Sequence, residues 1–395
     1  ITARNHVVMR RTEKKQRRAA LGTAADPVTL EVFNNLVKSI AEQMGVTLQN
    51  TAYSVNIKER LDFSCAVFDR TGALVANAPH MPVHLGSMDR SVETIIRLNE
   101  GDISPGDVFA LNAPYNGGTH LPDITVVTPV FEDLALPLEG RVAAKRPGGV
   151  VADSRGANGV LISAELPPSG GSAPTSPSRG EGQPRILFWV AARGHHADVG
   201  GTAPGSMTPR ATTVDEEGVL FDNFRLVERV IFREKELFRL LTDHPYPARN
   251  PQQNIADLKA QIAANEKGVA ELRKMVSHFG LDVVEAYMGH VQDNAAESVR
   301  RVLDRLPDQS EYEYPTDTGQ VIKVKISVDR TTRKATVDFT GTSPVMKNNF
   351  NAPEPVARAA VLYAFRVMVE DQIPMNAGCL RPIDIIIPAG SMLRP

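Results

Sequence analysis

The sequence predicts an α+β fold with a mixed β-sheet core, flanking helices and a helical subdomain, and with a truncated C-terminal part. Apolar residues recur at helical spacing after residue 26 and again between residues 222 and 304. Short segments rich in strand formers occupy the stretch between residues 63 and 192. With 395 residues, of which 42% are hydrophobic and 23% are charged, the chain can bury a sizeable core in two or three lobes.

The N-terminal part begins with a stretch, residues 1–25, that we interpret as a flexible tail because its charge is a block of basic residues. A long amphipathic helix is expected next, over residues 27–54. Asp26 can cap its first turn, Pro27 suits the first helical position, and apolar residues follow three and four apart.

Strands are expected after this helix, in a region that also contains most of the histidines. A polar turn at residues 69–72 predicts a strand pair around it. The predicted strands are 63–68, 73–78, 107–112, 124–131 and 186–192. Residues 134–185 are rich in Pro, Gly and Ser, so we expect a disordered insertion there. Because such an insertion can loop out, strands 124–131 and 186–192 are expected to be hairpin neighbours.

The second half of the chain changes to helical spacing. Three helices are expected, at 224–241, 254–279 and 283–306, followed by a half-solvated hairpin at 320–328 and 334–339, a helix at 355–369 and a strand at 383–387. These elements suggest a metal-bearing α/β region at 26–221, a helical subdomain at 222–310 and an incomplete hairpin and helix region at 311–395.

Composition excludes several classes of protein. The formal net charge of -2 gives no electrostatic reason to expect a nucleic-acid or membrane partner. No apolar run is long enough to span a bilayer, and two distant cysteines, Cys65 and Cys379, indicate neither a disulfide framework nor a thiolate site. A cytoplasmic location is therefore expected. The sequence has no P-loop, no G-x-S-x-G elbow and no G-x-G-x-x-G after a strand, so ATP would be bound by a partner.

Two segments combine metal-ligand residue types with glycines. His120 and Asp123 lie three apart in a loop that contains two glycines and a proline. His195, His196 and Asp198 follow the strand at 186–192. Because adjacent strand residues point to opposite faces, only one of the two histidines is expected to bind. An imidazole and carboxylate set suits Mn, Zn, Fe or Co.

Two further segments are candidates for the same site. Glu59 or Asp62 can complete the metal shell, with the other acting on a proton. His80 and His84 are either hydrogen-bonded loop residues or part of a substrate pocket. The Asn-rich segment 346–353 is likewise either a structural loop or a substrate contact.

Six motifs in order resemble the hydantoinase B/oxoprolinase family. They are DPVTLEV at 26–32, KERLDFSCA at 58–66, HMPVHLGSM at 80–88, GGTHLPD at 117–123, HHADVGG at 195–201 and NAGCLRPI at 376–383. The resemblance runs from residue 26 to the end, apart from the insertion. Family members continue beyond the point where this chain stops, which is why we expect it to be truncated.

The resemblance implies a hydrolase that acts on the C–N bond of a cyclic amide, a lactam or a hydantoin, after an A-type partner subunit has used ATP to phosphorylate the carbonyl oxygen. Its metal ligands would be Asp62 or Glu59, His120, Asp123 and one of His195 and His196. Asp198, or the free member of the Glu59 and Asp62 pair, would orient or deprotonate the attacking water.

Two other functions remain open from the sequence. One is the metal-bearing subunit of an acetone or acetophenone carboxylase, in which the same metal site would serve a different reaction. The other is a non-catalytic scaffold that acts through the helices at 222–304.

Overall fold

The computed structural model describes residues 21–78, 81–132, 184–206, 208–370 and 373–395. Most of the predicted tail and nearly all of the predicted insertion at 134–185 lie outside these residues. The helices are α1 (Pro27–Thr51), α2 (Val55–Lys58), α3 (Pro82–Leu85), α4 (Met88–Leu98), α5 (Val214–Glu217), α6 (Glu234–Thr242), α7 (Pro251–Phe279), α8 (Leu281–Leu303) and α9 (Glu354–Val367). The strands are β1 (Phe63–Phe68), β2 (Leu74–Asn77), β3 (Val108–Leu111), β4 (Asp123–Phe131), β5 (Ile186–His195), β6 (Phe224–Glu228), β7 (Ile231–Phe232), β8 (Gln309–Pro315), β9 (Val321–Asp329), β10 (Lys334–Asp338) and β11 (Ile383–Ile386).

The larger sheet has seven strands in the order β2-β1-β5-β4-β3-β6-β7, and every adjacent pair is antiparallel. The predicted pairing of the strands on either side of the insertion is confirmed, since β4 and β5 are neighbours over most of their length. All nine residues of β4 are buried, because helices cover both faces of the sheet centre. The two segments predicted to carry metal ligands therefore adjoin the buried strands β4 and β5.

Helices α1, α7 and α8 cover one face of this sheet. The predicted cap is present, since the Asp26 carboxylate accepts a hydrogen bond from Thr29 N at 2.8 Å. Phe33 of α1 stacks on Tyr287 of α8 with ring centroids 4.6 Å apart. Helix α4, which the sequence analysis did not predict, packs on the opposite face through Met88, Val92 and Ile95.

The prediction of a helix over residues 224–241 is wrong for the first half of that range. Strands β6 and β7 form there and extend the larger sheet beyond β3, and α6 begins only at Glu234. The turn between them places Arg229 and Val230 at positive φ, 45° and 69°. Such a hairpin turn is ordinarily signalled by Gly, Asn or Asp, so the sequence carried no sign of it.

The smaller sheet has the order β11-β10-β9-β8 and mixes antiparallel pairs with one parallel pair, β10 with β11. The predicted hairpin is β9 and β10, whereas edge strand β8 was not predicted. Helices α8 and α9 pack against this sheet. The two sheets with their flanking helices confirm the predicted fold class. The division of the chain into regions at residues 221 and 310 stays a prediction.

Candidate metal centre

Three distant segments meet at one end of the larger sheet. Asp123, the first residue of β4, is directly opposite His195, the last residue of β5. On the other side of β5, the backbone carbonyl of Asp62 accepts a hydrogen bond from His195 N at 2.9 Å. The antiparallel pairing of β4 with β5 thus brings Asp123 next to His195, although 72 positions separate them in the sequence.

The loop before β4 adds a third side chain. Ligand atoms of His120, Asp123 and His195 all lie within 4.8 Å of one another. Two glycines allow this loop to pack closely. Gly117 adopts φ +94° against the backbone of Arg90, and a Cβ on Gly118 would lie only 2.0 Å from the carbonyl oxygen of Asn112. The glycines predicted to permit tight turns therefore serve close backbone contact.

Asp123 is the centre of a polar network. Its Oδ1 lies 2.7 Å from His195 Nδ1, its Oδ2 accepts a hydrogen bond from the Thr119 hydroxyl at 3.1 Å, and His84 Nε2 lies 3.6 Å from that same oxygen. Burial alone would raise the pKa of the Asp123 carboxyl, but hydrogen bonds from His195 and His84 lower that pKa well below its usual range. Asp123 is therefore an anion in a buried site.

The pKa values of the two cluster histidines, His120 and His195, shift in opposite directions from the usual value. Burial lowers the pKa of His120, although the charge of Asp123 opposes this effect. Burial would also lower the pKa of His195, but its hydrogen bond with Asp123 and the charges of Asp123 and Asp62 together raise that pKa above the usual value. The charge of Asp62 raises the pKa of both histidines. Asp62 is nevertheless not one of the three residues whose ligand atoms converge.

His84 lies behind the cluster, where its side chain is buried. Its Nδ1 is 3.2 Å from the Ser64 hydroxyl and its Nε2 faces Asp123. His84 thus contacts Asp123 from the buried side, and its predicted part in a substrate pocket stays a prediction. His80 lies outside the described residues. Glu59 ends α2 at an exposed position, and the structure brings it into no contact with the cluster among the described residues.

His196 requires a correction, because the structure does not bring it to the cluster. Its Nε2 lies 3.0 Å from Gln261 Oε1, and its Nδ1 lies 3.2 Å from Asn254 Nδ2. The Gln261 amide donates to the carbonyls of Ile124 and Ala192, so its oxygen must accept from His196. His196 is therefore a buried neutral imidazole that joins β5 to α7.

Asp198 bonds to the loop that follows β5 and to Arg249. Its carboxylate accepts hydrogen bonds from Gly200 N, Gly205 N and Arg249 N, and Arg249 Nη1 lies 2.7 Å from its Oδ2. These contacts give the carboxylate a structural role as an acceptor. The role of Asp198 as a base for the attacking water stays a prediction.

A residue that the sequence analysis missed lies beneath the cluster. Arg193 of β5 is fully buried and hydrogen-bonds to Thr125, Ser87 and Ser91. Burial lowers the pKa of its guanidinium to about 10, so it remains a cation at neutral pH. One feature of the sequence could have identified this residue. It is an arginine within an otherwise apolar strand, two residues before His195.

The cluster opens onto a cleft of about 980 Å³. It is lined by residues of α4, of the loop after β3, of segments 208–217 and 345–355, and by Ser206, Arg394 and Pro395. His120 and Thr119 line it, as do Glu217 and Phe350. Residues of the Asn-rich segment are part of this lining, and Asn349 hydrogen-bonds to the carbonyl of Thr208.

The residues fit a divalent cation. Two imidazoles and a buried, ionised carboxylate converge, the ligand types that Zn, Mn, Fe and Co share. Asp123 already carries two partners that orient it, the Thr119 hydroxyl and His84, as ligands in metal sites usually do. These features define a class of protein: an α+β protein with a His/Asp/His cluster that fits a cation at the end of a sheet, beside a cleft.

Comparison with known proteins specifies the family. Residues 26–147 and 174–395 match the family model Hydantoinase B/oxoprolinase, and the chain belongs to this family. It is similar to 5-oxoprolinase 1 of Arabidopsis thaliana, with 40% identity over 394 residues that cover 94% of this chain and 27% of that protein. The chain thus spans about a quarter of the length of this relative.

Two solved structures share its fold. ATP-dependent caprolactamase from Pseudomonas jessenii superimposes with a TM-score of 0.73 at 22% identity, over 94% of this chain and 55% of that one. Nucleotide-free acetone carboxylase gives a TM-score of 0.69 at 14% identity, over 94% and 44%. Among the described residues, no helix is both long enough and apolar enough to cross a bilayer.

Proposed function

We propose that this chain carries the metal centre of an ATP-dependent enzyme that hydrolyses a cyclic amide, either a lactam or a hydantoin. The observation that carries the proposal is the convergence of His120, Asp123 and His195 at the edge of a large cleft. Membership of the hydantoinase B/oxoprolinase family and similarity to a 5-oxoprolinase support the substrate class.

His120, Asp123 and His195 would hold the metal, and Asp62 is the proposed fourth ligand. The backbone carbonyl of Asp62 is bonded to His195 N, and the charge of its carboxylate raises the pKa of both histidines. Once bound, a divalent ion lowers the pKa of water and so supplies a nucleophile at neutral pH.

The remaining residues of the site bind and orient. His84 and Thr119 hold Asp123 so that its carboxylate faces both histidines. His120 is the cluster residue that lines the cleft, so a substrate carbonyl would approach from its side. Residues of segment 345–355 also line the cleft and would contact the rest of the substrate.

ATP would be used by a partner in a hetero-oligomer. An amide is a poor electrophile, and phosphorylation of its oxygen by a hydantoinase A-type subunit would turn that oxygen into a leaving group. The absence of a P-loop pattern from this sequence and the ATP dependence stated for the caprolactamase support this division of labour.

Metal analysis of the purified chain tests the site. We expect about one divalent ion per chain in the wild type, and loss of that ion in His120→Ala and Asp123→Ala, because each removes one of three converging ligands. His278→Ala is the matched control, since it removes an exposed imidazole in the last turn of α7. Unchanged metal content in both cluster variants would falsify the assignment.

Activity with an A-type partner tests the reaction. We expect the complex to release glutamate from 5-oxoproline only when ATP is present. The same complex should not consume acetone in the presence of bicarbonate. The opposite pair of results would establish a carboxylase and overturn the hydrolase proposal.

A further inference from the structure

Arg193 presents five N–H donors to five acceptors in the protein interior. Its Nε donates to the Thr125 hydroxyl, its Nη1 to the hydroxyls of Ser87 and Thr119, and its Nη2 to the Ser91 hydroxyl and the Gly117 carbonyl. The contacts with Thr119 and Gly117 are the longest, at 3.5 Å. One side chain thus connects β5 with β4, α4 and the loop that carries His120.

Three of the hydroxyls that accept from Arg193 donate onward to the metal centre or to the segments that hold it. Ser91 donates to the Gly117 carbonyl at 2.7 Å, and Ser87 donates to the carbonyl of Val83 at 2.9 Å, with the carbonyl of His84 as a longer alternative at 3.2 Å. Thr119 donates to the Asp123 carboxylate at 3.1 Å. A hydroxyl has a single hydrogen, so accepting from Arg193 leaves each one free to donate in a defined direction.

The guanidinium has no carboxylate within ion-pair distance among the described residues, and all five of its acceptors are neutral. Asp123 is the acid whose charge most favours the cationic form of Arg193. Even with its donors satisfied, a buried cation without a direct counter-ion retains a desolvation cost that an apolar side chain does not have. Stability alone therefore gives little reason for an arginine here, where an apolar residue would fill the strand.

We propose that Arg193 is a positioning residue for the metal centre, which fixes Asp123 through the Thr119 hydroxyl and the His120 loop through Ser91 and Gly117, and so sets the affinity for the divalent ion. This inference rests on the proposed function, because it presupposes that the cluster binds a metal. Lysine cannot replace this arginine, since a single ammonium cannot reach acceptors spread around a planar guanidinium.

Thr119→Val is the first variant. It keeps the shape of the side chain and leaves Arg193 with its four other acceptors, but it removes the hydroxyl that connects Arg193 to Asp123. Thr128→Val is the matched control, because Thr128 is a similarly buried threonine on β4 whose hydroxyl accepts from Asn265 at 3.0 Å on the opposite face of the sheet.

The measurement is the dissociation constant of the metal-free chain for Zn²⁺ and for Mn²⁺, beside the melting temperature without metal. We expect Thr119→Val to bind metal about tenfold to hundredfold more weakly, the usual effect of losing a side chain that orients a ligand. Thr128→Val should lose thermal stability and keep the wild-type dissociation constant. Thr119 also bonds directly to Asp123, so the response of Arg193→Lys decides the role of Arg193: a purely structural role predicts that Arg193→Lys changes only the melting temperature.

Arg193→Lys completes a double-mutant cycle with Thr119→Val. If both act through one chain of hydrogen bonds, the double variant should lose little more affinity than the weaker-binding single variant. Wild-type affinity in Thr119→Val or in Arg193→Lys, or losses that multiply in the double variant, would overturn the inference. Failure of the wild type to bind either metal would instead overturn the proposed function.

Discussion

The carboxylate of Asp123 lies 2.7 Å from Nδ1 of His195, and the two residues are direct partners in the ladder between β4 and β5. This pairing places an anion and an imidazole on the same face of a buried sheet. A register slip of one residue would turn His195 to the other face and bring His196 to the cluster. The register of two buried strands thus decides which of two adjacent histidines belongs to the site.

Close packing of the His120 loop predicts the effect of adding a methyl group to it. Gly118→Ala would place a Cβ 2.0 Å from the Asn112 carbonyl, so the loop must move. We expect the free energy of unfolding to fall by about 2 kcal/mol or more, together with loss of metal binding. Urea denaturation and metal analysis measure the two effects.

Gly289→Ala is the control for that substitution. Gly289 lies inside α8, and nothing lies within 4 Å of the position that its Cβ would take. Because alanine favours the helix over glycine, the free energy of unfolding should rise by about 0.5–1 kcal/mol with unchanged metal content. Similar responses of the two glycines would show that the loop is not tightly packed.

The position of His196 predicts a loss of stability without a loss of metal. His196→Ala leaves the Gln261 oxygen without its imidazole partner and opens a buried cavity beside α7. We expect a decrease of about 2–4 kcal/mol in the free energy of unfolding. Metal content measured on the folded variant should match the wild type, and a metal-free but stable variant would contradict the assignment.

Substitution of Asp198 distinguishes a structural role of its carboxylate from a catalytic one. Asp198→Asn weakens the ion pair with Arg249 and loses acceptor capacity for the loop after β5. We predict a decrease of about 2 kcal/mol in the free energy of unfolding, with metal affinity retained. Equilibrium urea curves and metal titration are the measurements. A stable variant that binds metal but has lost all turnover would support the catalytic role.

The raised pKa of Glu217 predicts that the stability of the protein depends on pH. Burial in the cleft wall raises the pKa of this carboxyl, and no other cause contributes to the shift. The folded state therefore holds the proton more tightly than the unfolded chain, so ionisation destabilises the protein as the pH rises above the unfolded pKa of about 4.3. Glu217→Gln removes this effect and should stabilise the protein more at about pH 7.5 than at about pH 4.5.

Urea denaturation of Glu217→Gln and wild type at both pH values checks this prediction. Glu271→Gln is the comparison, because hydrogen bonds from Lys267 and Lys274 lower the pKa of that carboxyl. Its substitution should show the opposite sign, with a larger loss of stability at neutral than at acidic pH. An equal gain for Glu217→Gln at both pH values would show that the effect is not ionisation.

The sequence by itself determined most of the elements and the residue types of the site. Helical spacing located α1, α7 and α8, and strand propensity located β1 to β5, because these segments have regular apolar patterns and clear turn residues. Glycines beside His120 and His195 indicated where ligands would lie. The hairpin of β6 and β7 was missed because its turn uses Arg229 and Val230, which rarely adopt positive φ.

Only the tertiary structure decided which candidates share one point in space. His195 and His196 are equal as ligands in sequence, and the register of β4 with β5 together with the amide of Gln261 separates them. The loop and its arginine made Asp198 a structural acceptor. Contacts between residues 70 or 100 positions apart depend on register, packing and hydrogen-bond direction, and these properties belong to the folded chain and not to any local stretch of it.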